Sequence, residues 1–151
     1  MSFFSNLKAN LGNMRAGVET DLKKFKNKDV LRALMAGCAY VAAADGEISP
    51  AEKQKMAGLV KNSSVTSVYD SGEAIKIFNE FADKFMFDIE VGKTEALLAI
   101  SKVKKDEGQA RLIIRGCIVI AGADGNFDDH EKAAVRAICR ELGQNPADFD
   151  L

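Results

Sequence analysis

The chain is 151 residues long, 47% apolar and 28% charged, with a net charge of −1. These values describe one soluble globular domain with enough chain to bury a full core. No apolar run approaches the ~20 residues of a membrane span, and MSFFSNLKANLG lacks the basic start, apolar stretch and cleavage site of a signal peptide.

The three cysteines, Cys38, Cys117 and Cys139, form no CxxC pair. An odd count of this kind points to reduced thiols in a cytoplasmic compartment. Charge is unevenly spread: residues 1–28 carry Lys8, Arg15, Lys23, Lys24, Lys26 and Lys28 against only Glu19 and Asp21, so the rest of the chain is acidic. A basic front on an acidic body suits contact with anionic lipid or an acidic partner. Nucleic acid is not expected, since the body has no basic stripe with interleaved aromatics.

In chain order, Phe3, Phe4, Leu7, Leu11, Met14, Val18, Leu22 and Phe25 recur at steps of three and four. They predict one or two amphipathic helices, with Gly12 or Gly17 as a break. Asn27 caps a helix over about 28–44, whose AGCAYVAAA stretch admits close neighbours on nearly every face. Asp45-Gly46 ends it, glycine supplying the left-handed conformation. Ser49-Pro50-Ala51-Glu52 is a capping box that starts the next helix, which fades near Asn62-Ser63.

SSVTSVYD reads as an irregular connection or a short helical turn. Asp70-Ser71-Gly72-Glu73 is a second capping box, followed by the stripe Ile75, Phe78, Phe81, Ala82 and Phe85. Asp88 starts a helix with Val91, Ala96, Leu97, Ile100 and Val103 on its core face. Asp106 to Gln109 and Asp128 to Glu131 cap two more, the last ending at Gly143. The predicted fold is all-α: a compact bundle of about seven helices. Its expected division is a basic amphipathic segment over 1–26 and a helical domain over 27–151.

The chain also repeats itself. CAYVAAADGEISPAEK (38–53) and CIVIAGADGNFDDHEK (117–132) match in a fixed register of 79 residues, pairing Asp45 with Asp124 and Glu52 with Glu131. The halves lie around 30–62 and 109–143. Packed about a pseudo-twofold axis, they would bring the repeated carboxylates together. Caps alone also explain these residues, each being worth ~1 kcal/mol. A shared site for Ca²⁺, Mg²⁺ or Mn²⁺ is the competing reading: Asp45, Glu52, Asp124, Glu131 and Asp128, with Glu47 and Asp129 secondary. An EF-hand is excluded, because Val41 and Ala43, or Ile120 and Gly122, fall where its first oxygen ligands must sit.

No nucleophile elbow, phosphate-cradling glycine loop or Cys/His pairing supports catalysis, and no enzyme is expected. His130 reads as a surface residue. The cysteines read as small buried hydrophobes, with thiol-dependent redox chemistry through Cys38, Cys117 or Cys139 as an alternative. A metal-independent acidic interaction scaffold is another. Phe3, Phe4, Lys8, Arg15, Lys23, Lys24 and Lys26 are the candidate membrane or partner contacts.

MSFF, KKFKNKD (23–29), the ADG turn with EKQKM (52–56), FDIEVGK (87–93), DGNFDD (124–129), EKAAVR (131–136) and the ending PADFDL together resemble the TerB family of bacterial tellurite-resistance proteins. The likeness runs nearly end to end. It implies a compact all-helical cytoplasmic protein without enzymatic activity, serving stress responses to tellurite, phage and colicins. It also implies association with an integral membrane partner of the TerC type at the inner face of the cytoplasmic membrane, alongside other tellurite-resistance proteins. Metal binding through acidic residues is implied at Asp45, Glu52, Asp124 and Glu131. The first copy has Ser49-Pro50 where the second has Asp128-Asp129, so the two half-sites are unequal.

Overall fold

The computed structural model describes the backbone of residues 3–151 and the side chains from residue 12 onward. Within them the chain forms seven α-helices and no strand: α1 (Phe3–Lys24), α2 (Lys28–Ala42), α3 (Pro50–Asn62), α4 (Ser71–Phe87), α5 (Ile89–Ser101), α6 (Glu107–Ala121) and α7 (Asp129–Glu141). Two short 3-10 segments, Thr66–Val68 and Pro146–Phe149, complete it. The SSVTSVYD connection thus contains a single 3-10 turn. No helix among the described residues is long and apolar enough to cross a membrane.

Helix starts follow their local chemistry. Asn27, Ser49, Asp70, Asp88, Asp106 and Asp128 each accept a hydrogen bond from a backbone N–H of the first turn that they precede. Such N–H groups have no partner inside the helix, which is why an acceptor at this position stabilises it. Ser49 and Asp128 form full capping boxes. Asp70 binds the N–H groups of Gly72 and Glu73, so the motif there works through the aspartate.

Two expectations are corrected. The first helix runs unbroken through Gly12 and Gly17. One glycine costs a helix only ~1 kcal/mol, and buried Val18 and Leu22 anchor the stretch that follows. The second helix stops at Ala42, and Ala44 and Gly46 continue as tight turns, their N–H groups donating to Val41 and Ala43.

Helices α2 and α6 form the centre, each with ten buried residues. They pack closely where each helix carries a glycine. A β-carbon on Gly37 would collide with the Cys117 sulfur, and one on Gly116 would lie 2.7 Å from Leu34 Cδ1. Gly37 and Gly116 are themselves one register of 79 apart, and each lets a side chain of the other helix approach closely. Helices α4 and α5 pack on α2; α3 and α7, each following one Asp-Gly turn, both pack against α2 and α6.

Helix α1 lies along α6. Val18 and Leu22 are fully buried, and the Arg115 guanidinium meets the Asp21 carboxylate at 2.8 Å. The basic segment therefore contributes to the core as well as carrying charge.

Candidate functional site

The two Asp-Gly turns are built alike. Ala44 and Gly46 donate to Val41 and Ala43; Ala123 and Gly125 donate to Ile120 and Gly122. Gly46 has φ +101° and Gly125 φ +78°, the left-handed region where a β-carbon is penalised. Asp45 Oδ1 accepts from the Glu47 N–H at 3.5 Å, and Asp124 Oδ1 from the Asn126 N–H at 3.0 Å. Ile48 and Phe127 plug the core beneath their turns, which fixes how each chain enters the helix that follows.

The caps then place the glutamates. Glu52 Oε1 accepts from Ser49 Oγ at 2.9 Å while the Glu52 N–H donates to Ser49 Oγ at 3.1 Å. Glu131 Oε1 accepts from the Asp128 N–H at 3.3 Å, and Asp128 Oδ1 accepts from the Glu131 N–H at 2.8 Å. Every one of these carboxylates thus commits one oxygen to its own turn.

Asp45 and Glu52 from the first copy and Asp128, His130 and Glu131 from the second line a single cavity of about 120 Å³. Val41, Met56 and Leu59 supply an apolar floor. The space is ample for a hydrated ion, since one water needs only ~10–15 Å³. Lys55, on α3, stands at the rim with its Nζ 3.3 Å from Asp124 Oδ2. Asp124 itself faces a larger neighbouring groove of about 760 Å³ lined also by Arg15, Asn62, Ser63 and Ser64.

Glu131 carries the electrostatic signature of the cavity. Its pKa is pushed up to about 7, chiefly by burial; the hydrogen bond from the Asp128 backbone and the nearby Lys55 pull it down, while the Asp128 and Asp124 charges push it up. A half-buried carboxyl among other carboxylates favours an added positive charge, either a proton or a cation.

The metal implied by the family resemblance can be tested against this donor set. The free oxygens are all hard donors, which suits Ca²⁺, Mg²⁺ or Mn²⁺. As the side chains stand, no three Asp, Glu, His or Cys residues among those described are gathered closely enough to hold one ion. The donor chemistry suits a hard cation, whereas the side chains as placed do not converge on one point.

Other candidates fall elsewhere. Glu47 is exposed and does not line the cavity. Asp129 is fully exposed and pairs with Lys132 at 3.5 Å. Arg15, Lys23, Lys24 and Lys26 are exposed, whereas the side chains of Phe3, Phe4 and Lys8 lie outside the described residues. All three cysteines are buried. The hydrogen bond with Cys38 and burial both raise the Cys117 pKa well above the usual thiol value, and burial pushes Cys139 up to about 11. Both conditions disfavour thiolate.

Sequence reading missed Lys55 and the position of His130 on the cavity wall. A signal for Lys55 was present: 79 residues further on stands Ala134, so the lysine breaks the repeat.

A family model described as tellurite resistance protein TerB matches residues 31–151. A protein of Alcaligenes sp named tellurium resistance protein TerB is 36% identical over 115 residues, covering 76% of this chain and 94% of that protein. No solved structure matches the chain. The family match takes in both Asp-Gly turns and every acidic candidate, and it begins beyond the basic residues of α1.

Proposed function

This chain is a member of the TerB family of tellurite-resistance proteins, and on that premise we propose that it works without catalysing a reaction, as an adaptor responsive to a divalent cation. Asp45, Glu52, Asp128 and Glu131, with Asp124 at the rim, would hold the ion through the oxygens their turns leave free. The ion would supply positive charge to the cavity and tie the two turns together, altering the acidic face a partner meets.

One observation carries this reading: carboxylates from two segments 79 residues apart line the same cavity. The raised proton affinity of Glu131 supports it. Calorimetric titration with Ca²⁺, Mg²⁺ and Mn²⁺ tests it, on the wild type and on Asp45→Asn/Glu131→Gln. Heat from the wild type that the double variant loses is the expected result. Negligible heat from both removes the cation.

The basic residues extend the proposal to place. Arg15, Lys23, Lys24 and Lys26 are exposed on or just beyond α1, suited to the inner face of the cytoplasmic membrane or to an integral partner of the TerC type. Each such residue near an anionic surface contributes ~1 kcal/mol. Lys23→Glu/Lys24→Glu/Lys26→Glu is expected to leave the pellet when sedimented with vesicles containing phosphatidylglycerol; unchanged sedimentation counts against the location.

A metal-independent acidic scaffold is the second reading, favoured by the oxygens already committed to the caps. Its partner binding would weaken with salt and ignore chelators. Thiol-dependent detoxification is opposed by the burial of all three sulfurs.

A further inference from the structure

We propose that α5 is a self-association surface, taking α5 of a second copy of this chain in antiparallel register. The proposal stands apart from the cation and membrane readings, and none of its residues belongs to either.

Apolar surface is the first observation. Among the described residues, the large hydrophobic side chains left exposed are Met86, Phe87, Val91 and Leu98, all at the α4–α5 corner or on α5. Phe87 is 83% exposed and Leu98 59%. Single exposed hydrophobics are ordinary, but four on one corner and one helix make a patch. Val91 and Leu98 share a face of the helix, with exposed Thr94 between them.

Charge says what covers this face. The end of α5 beside Phe87 is acidic. There Asp88 gives one oxygen to the Glu90 and Val91 N–H groups, and exposed Glu90 reaches Lys93 only at 4.0 Å. The other end is basic: Lys102, Lys104 and Lys105 are exposed, and no salt bridge among the described residues reaches them. Asp106 and Glu107 follow, but they open α6, where Asp106 accepts from the Gln109 N–H. Between the ends, Lys84 and Glu95 neutralise each other at 3.5 Å. An anionic bilayer would repel the end that holds Asp88 and Glu90, and a partner of one sign would suit only one end. A second α5 laid antiparallel suits both, because each acidic end then meets a basic one and the helix dipoles oppose.

The register follows from a twofold axis beside Thr94. Val91 packs against Leu98 of the other copy, and Asp88 faces its Lys102. Phe87 covers the apolar stem of that lysine. Every contact occurs twice, as an isologous interface requires. The patch is small, so pairing is weak and grows with concentration.

Sedimentation equilibrium of the full chain over a range of concentrations reads the pairing directly. The mass is expected to climb from 16.3 kDa toward twice that value. Leu98→Gln, an exposed change that spares the core, should weaken association at least about tenfold. Glu90→Lys makes both ends basic and Lys102→Glu/Lys105→Glu makes both ends acidic, so each variant alone should stay monomeric. Mixed in equal amounts they should pair as the wild type does, since one end keeps its native contact and the other has it in reversed sign. Unfolding midpoints near wild type verify that each variant is folded. A wild type that holds 16.3 kDa at every concentration overturns the proposal. So does a Leu98→Gln protein that associates normally, or a mixture no heavier than its separate components. Phosphatidylglycerol vesicles supply the remaining arm: a monomeric wild type whose vesicle binding is lost in Leu98→Gln would give this face to lipid and refute the pairing.

Discussion

The Cys117 sulfur on α6 occupies the space that a β-carbon on Gly37 of α2 would need. The closest approach of the two central helices is thus set by a missing side chain and a small one. Gly37→Ala is expected to destabilise the protein by ~1–3 kcal/mol through overpacking. Gly116→Ala should cost less, because its obstacle is the far end of the Leu34 side chain. Urea unfolding midpoints measure both, and a Gly37→Ala midpoint equal to wild type would show the crossing to be looser than described.

The Ser49 cap makes a separate claim. Ser49→Ala removes the acceptor for the Glu52 N–H and is expected to lower stability by ~1 kcal/mol. Ser49→Asp restores an acceptor and should recover most of that. Failure of the aspartate to recover stability would mean that the hydroxyl acts through some other contact.

Stability should also depend on pH through Glu131. Its proton is held more tightly in the fold, at about 7, than in the unfolded chain at ~4.3. Between those values the folded state binds more protons. The contribution of this group is therefore full below the lower value and lost as pH rises through the upper one. Denaturation midpoints taken from pH 5 to pH 8 should fall less steeply for Glu131→Gln than for wild type. Parallel profiles would place the titration elsewhere.

The thiols should be quiet. With Cys38, Cys117 and Cys139 buried and the Cys117 and Cys139 protons held above the usual range, the folded protein is expected to react slowly with a disulfide reagent at neutral pH. All three sulfurs should react at once in guanidinium. Rapid labelling of the native protein would reopen thiol chemistry as a function.

How much the sequence disclosed depends on the range of the interaction. Asn27, Ser49, Asp70, Asp88, Asp106 and Asp128 act within three residues of themselves, so every one of these helix starts could be read from adjacent letters. Gly46 and Gly125 were legible for the same reason. Cys38 and Cys117 were expected in the core because small apolar residues surround them. The cavity was legible only as a condition, since the register shows that two turns are alike and not that they meet. Their meeting depends on the packing of α2 on α6, where Gly37 meets Cys117 and Gly116 meets Leu34, contacts between segments far apart in the chain. Glu47 and Asp129 were misplaced because acidity says nothing of direction: one projects outward from a turn and the other from the first residue of α7. Lys55 was overlooked since a long exposed lysine on a helix ordinarily signals nothing.

Val18 and Leu22 have a bearing on how this protein is handled in the laboratory. A shortened form beginning at residue 31, where the family match opens, would strip those two plugs from the flank of α6 and leave oily wall facing water. Such a fragment would stick to vesicles, columns and chaperones alike. Loss or gain of adhesion in it would report a wounded surface rather than a recognition event, so charge swaps on the intact protein are the cleaner probe of where it resides.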